Sequence, residues 1–386
     1  LYGAMAQSTV PDLLESPGVQ RVGIAGRNLE KARAFAGVWK DDRALPLKLD
    51  ARDNDALKRE FRNWDCVINS AWYDLNVPIM DCAIKAGIHY IDLGGLYHQA
   101  LRQLKMDKQA KDAGVTCILG IGSTPGTMNV MGMYGASKLD KVHKMILRSS
   151  GITVEGGEPG KFVVPYAVRT IFDEFSMDAP ILRDGKIKFV PALTGLEVSE
   201  FQPPVGKVEG YYTIHSELAT MPQTIGKGIK ELDFIVAFPH EFTSTIATLV
   251  RLGLAARQEH VVEGEKVRPY DVTSTIIDDL PKPKVPEKDL DIQRVVVWGE
   301  KDGNLVTLRY EAATWPHKKW NVGGGTVDTG VPPSIAAQWI LKKKVKHTGA
   351  IPPEIAFDPL PYFKDLNSQG RGIVVTEYAE TTKTLN

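Results

Sequence analysis

The sequence predicts an α/β protein in two units: a parallel sheet covered by helices on both faces, and a second, α+β unit whose sheet is mostly antiparallel. Three observations predict this. Over the first 120 residues, short apolar runs alternate with amphipathic stretches, the pattern of strands joined by crossover helices. After about Gly122 the segments lengthen, carry more turn residues and become strand-like. Asp184-Gly185 and Asp302-Gly303 each lie between two such runs, and Asp-Gly is the strongest short-range hairpin signal.

Taken in order, residues 19–26 read as a strand, most apolar at 22–25. Residues 28–39 read as a helix, with Asn28 as its N-cap. A strand at 45–49 ends in Asp50, and 53–61 is helical. Strand 65–69 is followed by helix 77–86, which Gly87 closes. Strand 89–93, helix 101–113 and strand 115–120 complete the alternation. Beyond it, 292–298 and 305–310 read as the arms of the second Asp-Gly hairpin, and the Pro- and Lys-rich stretch 280–288 as a loop. Helicity returns at 332–341, with Pro332 and Pro333 placed in the first turn, where the missing amides have no intrahelical partner.

The composition narrows the function. Lys+Arg and Asp+Glu both number 47, so no global basic field exists to neutralise phosphates, which argues against nucleic acid as the main partner. No apolar run is long enough to span a bilayer, and the first residues lack a basic start followed by an apolar core. Cys66, Cys82 and Cys117 show no metal spacing, and the odd count reads as reduced thiols in a cytoplasmic protein. The histidines form no HExxH, so no metal site is expected. Neither a G-x-S-x-G elbow nor a Walker A loop is present.

A parallel sheet of this kind binds ligands at the carboxyl ends of its strands, and in a Rossmann unit the ligand is a dinucleotide. Gly3 could be the third glycine of a G-x-G-x-x-G turn; the chain opens as if inside a domain, and the first strand is expected to be missing. At the end of the next strand, Gly26-Arg27-Asn28 lacks the acid that holds a ribose 2′-hydroxyl and carries a base instead. Arg27 can bind a 2′-phosphate through its planar fork, so NADP is favoured over NAD. The bland alternative is a solvated Arg at a helix start. Asp50 could touch the adenine edge or cap the next helix. Asn69, Ala71 and Tyr73 follow the 65–69 strand and are candidate cofactor contacts, or an ordinary loop. Asp92 ends strand 89–93 before Gly94, and could bind a substrate ammonium group or hold its loop. The run 122–129, rich in glycine and hydroxyls, could cradle a phosphate or serve as a hinge.

The densest polar cluster is 211–220. In an extended strand Tyr211, Thr213, His215 and Glu217 would share one face, with Tyr212 and Thr220 in the same segment. His215 is the proton-exchanging candidate near neutral pH. Glu217 could set its tautomer or hold an ammonium group. Arg169, Arg251 and Lys227 are candidates for a substrate carboxylate.

These stretches resemble the saccharopine dehydrogenase-like superfamily, and within it the lysine 6-dehydrogenase type. The resemblance is carried by residues 26–32, 83–95 and 124–129, by 211–220, and by Thr329-Gly330-Val331-Pro332 with Pro352-Pro353-Glu354. It implies a Rossmann domain built from 1–122 and 330–386, with a substrate and dimerisation domain at 123–329 inserted between them. It implies a homodimer or larger homo-oligomer and a small amino-acid substrate. The expected activity is NAD(P)-dependent oxidation at a carbon–nitrogen bond, lysine 6-dehydrogenase-like deamination first. The alternatives are imine reduction, of the saccharopine reductase or carboxynorspermidine dehydrogenase type, and a non-catalytic nucleotide-binding protein. Site residues on this reading are His215, Glu217, Asp92, Tyr212 and Thr220 for catalysis, and Gly3, Arg27, Asp50, Asn69, Ala71, Tyr73 and Gly94 for the cofactor.

Overall fold

The computed structural model describes residues 3–155, 162–280 and 288–382. Most of the loop expected at 280–288 lies outside these residues.

The expected alternation of strand and helix is present. Val22–Gly26 pairs in parallel with Ala44–Lys48, and a four-stranded parallel sheet runs Gly349–Ile351, Thr116–Ile118, His89–Asp92, Cys66–Asn69. Asn28 caps helix Leu29–Trp39 by accepting from the Lys31 amide at 3.0 Å, which satisfies one of the orphan donors of the first turn. Gly87 closes helix Asn76–Ala86 in the left-handed region, at φ 74°. The helix expected at 101–113 is two shorter ones, Tyr97–Leu104 and Asp107–Asp112.

The second sheet has seven strands in the order Ile373–Thr382, Asn304–Thr314, Lys288–Lys301, Lys141–Glu155, Glu231–Ala237, Ala179–Arg183, Lys186–Val190. Every pairing is antiparallel except that of Glu231–Ala237 with Lys141–Glu155. Both Asp-Gly turns close hairpins. Asp184 and Gly185, and Asp302 and Gly303, all have positive φ, the geometry whose twist matches that of the flanking strands.

The C-terminal segment divides between the two units. Gly349–Ile351 extends the parallel sheet beside Thr116–Ile118, but Ile373–Thr382 returns to the edge of the antiparallel sheet. The chain end is therefore shared, where 330–386 had been expected wholly in the dinucleotide domain.

The helix expected at 332–341 runs from Gly324 to Leu341 and carries Pro332 and Pro333 in its interior. Two prolines remove two ladder bonds there. The neighbouring helix, Ala6–Leu14, binds carbonyls of the same helix: Ser8 Oγ donates to Thr326 O at 2.6 Å and Thr9 Oγ1 to Gly330 O at 2.7 Å. The contact needs glycine, because a Cβ at Gly330 would lie 2.1 Å from Ser8 Oγ. The same helix pair holds a buried ion pair. Arg371 Nε and Nη2 donate to Asp12 at 2.6 and 3.0 Å, and Ser334 and Gln338 donate to Asp12 as well.

Candidate functional site

The site is organised by helix Val168–Ser176. Val168, Ile171, Phe172 and Phe175 are buried at helical spacing, and so are Asp173 and Glu174 beside them. Buried carboxylates are costly unless partnered, and both have partners. Asp173 accepts from Arg257 Nη2 at 2.7 Å, from Tyr270 OH at 3.2 Å and from Tyr73 OH. Glu174 accepts from Tyr166 OH at 2.5 Å.

Glu174 faces His215 and Glu217. Segment 211–216 is not the strand its alternation suggests: Tyr212 makes one isolated bridge to Ile235, and Glu217 opens helix Glu217–Ile225. Helix dipole and carboxylate agree there, because the N-terminus of a helix favours negative charge. The shared face therefore does not form, yet His215 and Glu217 still meet, with Nδ1 against Glu217 Oε2. The other Glu217 oxygen accepts from Thr124 Oγ1. The imidazole stacks on Phe234, centroids 4.2 Å apart and 9° from parallel. With Nδ1 engaged, Nε2 is the atom able to exchange a proton.

The electrostatics follow from this packing. Burial pushes the His215 imidazole down, but the Glu217 carboxylate against it and Glu174 beyond outweigh burial, and the net is upward. Burial drives Glu174 up to about 7, with Asp173 and Glu217 adding repulsion against the help of His215 and Tyr166. The cluster is thus a proton-exchanging imidazole among buried acids, an environment that attracts a cation.

A cavity of about 600 Å³ lies beside it, lined by Tyr73, Leu96, His98, Met177, Val250 and Arg257 among others. Tyr73 belongs to the parallel-sheet unit and Asp173 to the second, so their hydrogen bond ties the two across the cleft. A second crevice joins Asp92, Gly94, Gly120 and Pro125 to Ser216 and Thr220, at the start of the helix that carries Glu217.

The other sequence candidates fall into place around these two spaces. Asp92 is fully buried, and it accepts from the Gly94 amide at 2.8 Å, the Gly120 amide at 2.7 Å and Gln103 Nε2 at 2.6 Å. It fastens the loops that shape the crevice and does not stand open to an ammonium group. Gly94 has φ 104° and a Cβ there would strike Pro125, so the crevice wall requires glycine. Thr220 lies against Glu354, which also receives Asn129 Nδ2 at 3.0 Å and Thr224 Oγ1 at 2.9 Å. Tyr212 points elsewhere, its hydroxyl taking a hydrogen bond from Arg183 at 3.0 Å. Asn69 is a loop organiser that accepts from the Ala71 amide at 3.1 Å and donates to Asn76 at 2.8 Å. Arg27 is exposed where strand Val22–Gly26 ends, Asp50 is exposed after Ala44–Lys48, and Gly3 is exposed at the turn before helix Ala6–Leu14. Of the carboxylate candidates, Lys227 instead donates to the carbonyls of Ala136 and Leu139, Arg169 pairs with Asp271, and Arg251 reaches Tyr211 OH.

Sequence reasoning missed Glu174, Asp173, Tyr166 and Arg257. One signal was available: Phe172-Asp173-Glu174-Phe175 sets two acids inside an aromatic-flanked helical stretch.

Residues 2–118 match the saccharopine dehydrogenase NADP binding domain, and 122–371 the saccharopine dehydrogenase C-terminal domain. The chain belongs to the saccharopine dehydrogenase family. As a member it is an NAD(P)-dependent dehydrogenase acting on carbon–nitrogen bonds. Among its relatives in this family, carboxynorspermidine synthase of Vibrio cholerae serotype O1 is 25% identical over 333 residues, covering 81% of this chain and 78% of its own. Carboxyaminopropylagmatine dehydrogenase of Synechocystis is 23% identical over 365 residues, covering 90% and 89%. The fold matches that of apo saccharopine dehydrogenase (L-Glu forming) from Saccharomyces cerevisiae, with TM-score 0.77 over 98% of each chain at 18% identity. It also matches the Legionella pneumophila homospermidine synthase in complex with NAD, with TM-score 0.61 over 98% of this chain and 90% of the other at 13% identity.

The residues present fit such a dinucleotide. Asn28 turns its side chain inward to cap its own helix, which leaves Arg27 as the exposed polar side chain at the end of that strand. No acid stands there to repel a 2′-phosphate. Asn69, Ala71 and Gly94 line strand ends of the same parallel sheet.

Proposed function

We propose that this member of the family reduces an imine formed between a cationic amine and an amino-acid aldehyde, giving a carboxylated secondary amine, with NADP(H) preferred over NAD(H). The observation that carries this is the buried acidic cluster of Asp173, Glu174 and Glu217 around His215. A neutral or anionic substrate would not repay the burial of three carboxyl groups in one place; an ammonium-bearing chain would. The two relatives covering most of this chain are named for carboxylated polyamine derivatives, and the cavity is large enough for such a chain.

When bound, the nicotinamide dinucleotide supplies the hydride. The chain supplies the proton and the positioning. Glu174 and Glu217 draw in the ammonium end of the substrate. The imine nitrogen needs one proton for each hydride its carbon receives, and His215 holds that proton on Nε2. In the reverse direction His215 takes the proton from an amine that would otherwise titrate near ~10.4. Glu217 keeps the imidazole in the orientation and tautomer that presents Nε2.

The test is nicotinamide absorbance with NADPH and NADH in parallel, using L-aspartate semialdehyde with 1,3-diaminopropane, and lysine with NADP or NAD. Consumption of NADPH with the aldehyde–diamine pair supports the proposal. Turnover on lysine alone would return the protein to lysine 6-dehydrogenase-like deamination, the competing reading, which His215 and Glu217 would serve equally well. His215→Ala is expected to lower turnover far more than cofactor affinity.

A further inference from the structure

We infer that Arg257 is the group that recognises the substrate carboxylate, and so decides between carboxylated and carboxylate-free amines. This rests on the amine-and-imine reading above and assigns the other end of the same substrate. Arg257 is the one Lys or Arg among the residues lining the 600 Å³ cavity. Its guanidinium is fixed from one side: Nη2 donates to Asp173 Oδ1 at 2.7 Å and to Tyr270 OH at 3.1 Å, and the plane lies over the Tyr270 ring, 4.2 Å from its centroid. Among the described residues Nε and Nη1 have no hydrogen-bond partner, and the side chain is 55% exposed. A planar fork held by one edge, with the other edge open to a cavity, is the arrangement that accepts a carboxylate in two parallel hydrogen bonds.

The surroundings point the same way. The lining near Arg257 is Met177, Val250, Ala255 and Ala256, which keeps water from screening the pair. Asp173 does not cancel the site, because its charge is shared with two tyrosine hydroxyls. Asp173 and Glu174 are consecutive on one helix, so a single turn presents the arginine on one side and faces His215 on the other. A substrate with a carboxylate and an ammonium group a few bonds apart matches that polarity.

Two matched probe pairs test this by titration calorimetry on the full chain with NADP bound: carboxynorspermidine against norspermidine, and lysine against 1,5-diaminopentane. Within each pair only the carboxylate differs. Wild type is expected to prefer the carboxylated probe by ten-fold or more in at least one pair. Arg257→Met should bring that ratio near one while carboxylate-free binding and NADP affinity stay within about two-fold. Arg257→Lys, which keeps a cation beside buried Asp173 and so guards against a folding defect, should retain part of the ratio. An unchanged ratio in both variants, or no carboxylate preference in either wild-type pair, overturns the assignment of Arg257. Failure of wild type to bind the polyamine pair, with the lysine pair behaving as described, overturns the polyamine reading and leaves the assignment standing.

Discussion

Replacing Glu217 with Gln keeps the shape and burial of the side chain and removes its charge. The consequence for His215 can be worked from the contacts. Glu217 contributes both the nearest attraction and the hydrogen bond that hold the imidazole up against burial. Without them burial dominates, so the protonated imidazole is lost at lower pH than in wild type. A hydrogen bond to a charged partner is worth about 1.5–3 kcal/mol. If that interaction is realised when His215 carries the transferred proton, its loss raises the barrier by the same amount. At about 1.36 kcal/mol for each factor of ten, turnover should fall roughly 10- to 150-fold. The direction of the pH effect is also set: in imine reduction, where His215 must be protonated, the alkaline limb of kcat should move to lower pH. The assay is kcat and KM for NADPH oxidation across pH 6–10, with NADPH affinity measured separately by fluorescence. The stack on Phe234 and the packing around residue 217 remain, so affinity for NADPH should be unchanged. A variant with kcat within about two-fold of wild type and an unmoved alkaline limb would refute the role given to this pair.

Further outcomes follow from neighbouring contacts. Glu174, held near about 7, is charged above that pH and neutral below it; the KM for the cationic amine should therefore fall as pH rises through about 7, and Glu174→Gln should flatten that dependence at the higher KM, as steady-state kinetics at several pH values will read. Arg27→Ala should raise the KM for NADPH ten-fold or more and leave that for NADH nearly unchanged, because a fork lost from a 2′-phosphate costs nothing to a cofactor lacking one; equal change in both would remove Arg27 from the site. Asp12→Ala strands the buried Arg371 guanidinium, a change worth about 3–5 kcal/mol, and should lower the thermal midpoint by roughly 5 °C for a chain of this size, as calorimetry will show.

What the sequence by itself determined was whatever depends on a few consecutive residues. Asn28 caps its helix, Gly87 closes another and both Asp-Gly pairs turn hairpins, because caps and turns are settled by local backbone geometry. The alternation that specifies a parallel sheet was legible for the same reason, and His215 and Glu217 were found because they lie two residues apart. Their secondary structure was not. Alternating polarity over 211–217 reads as a strand, yet the burial of Leu218, Ala219 and Met221 draws the chain into a helix at Glu217, and packing outweighs the local pattern. Likewise Pro332 and Pro333 sit inside a helix that reads as starting at them, because that helix is buried and a neighbouring helix takes up two of its carbonyls. The rest of the site was decided only by tertiary structure. Glu174 meets His215 across 41 positions and Arg257 meets Asp173 across 84. No local rule links such residues; they are brought together because the apolar face of helix Val168–Ser176 must be buried, and its two acids go in with it to find their partners.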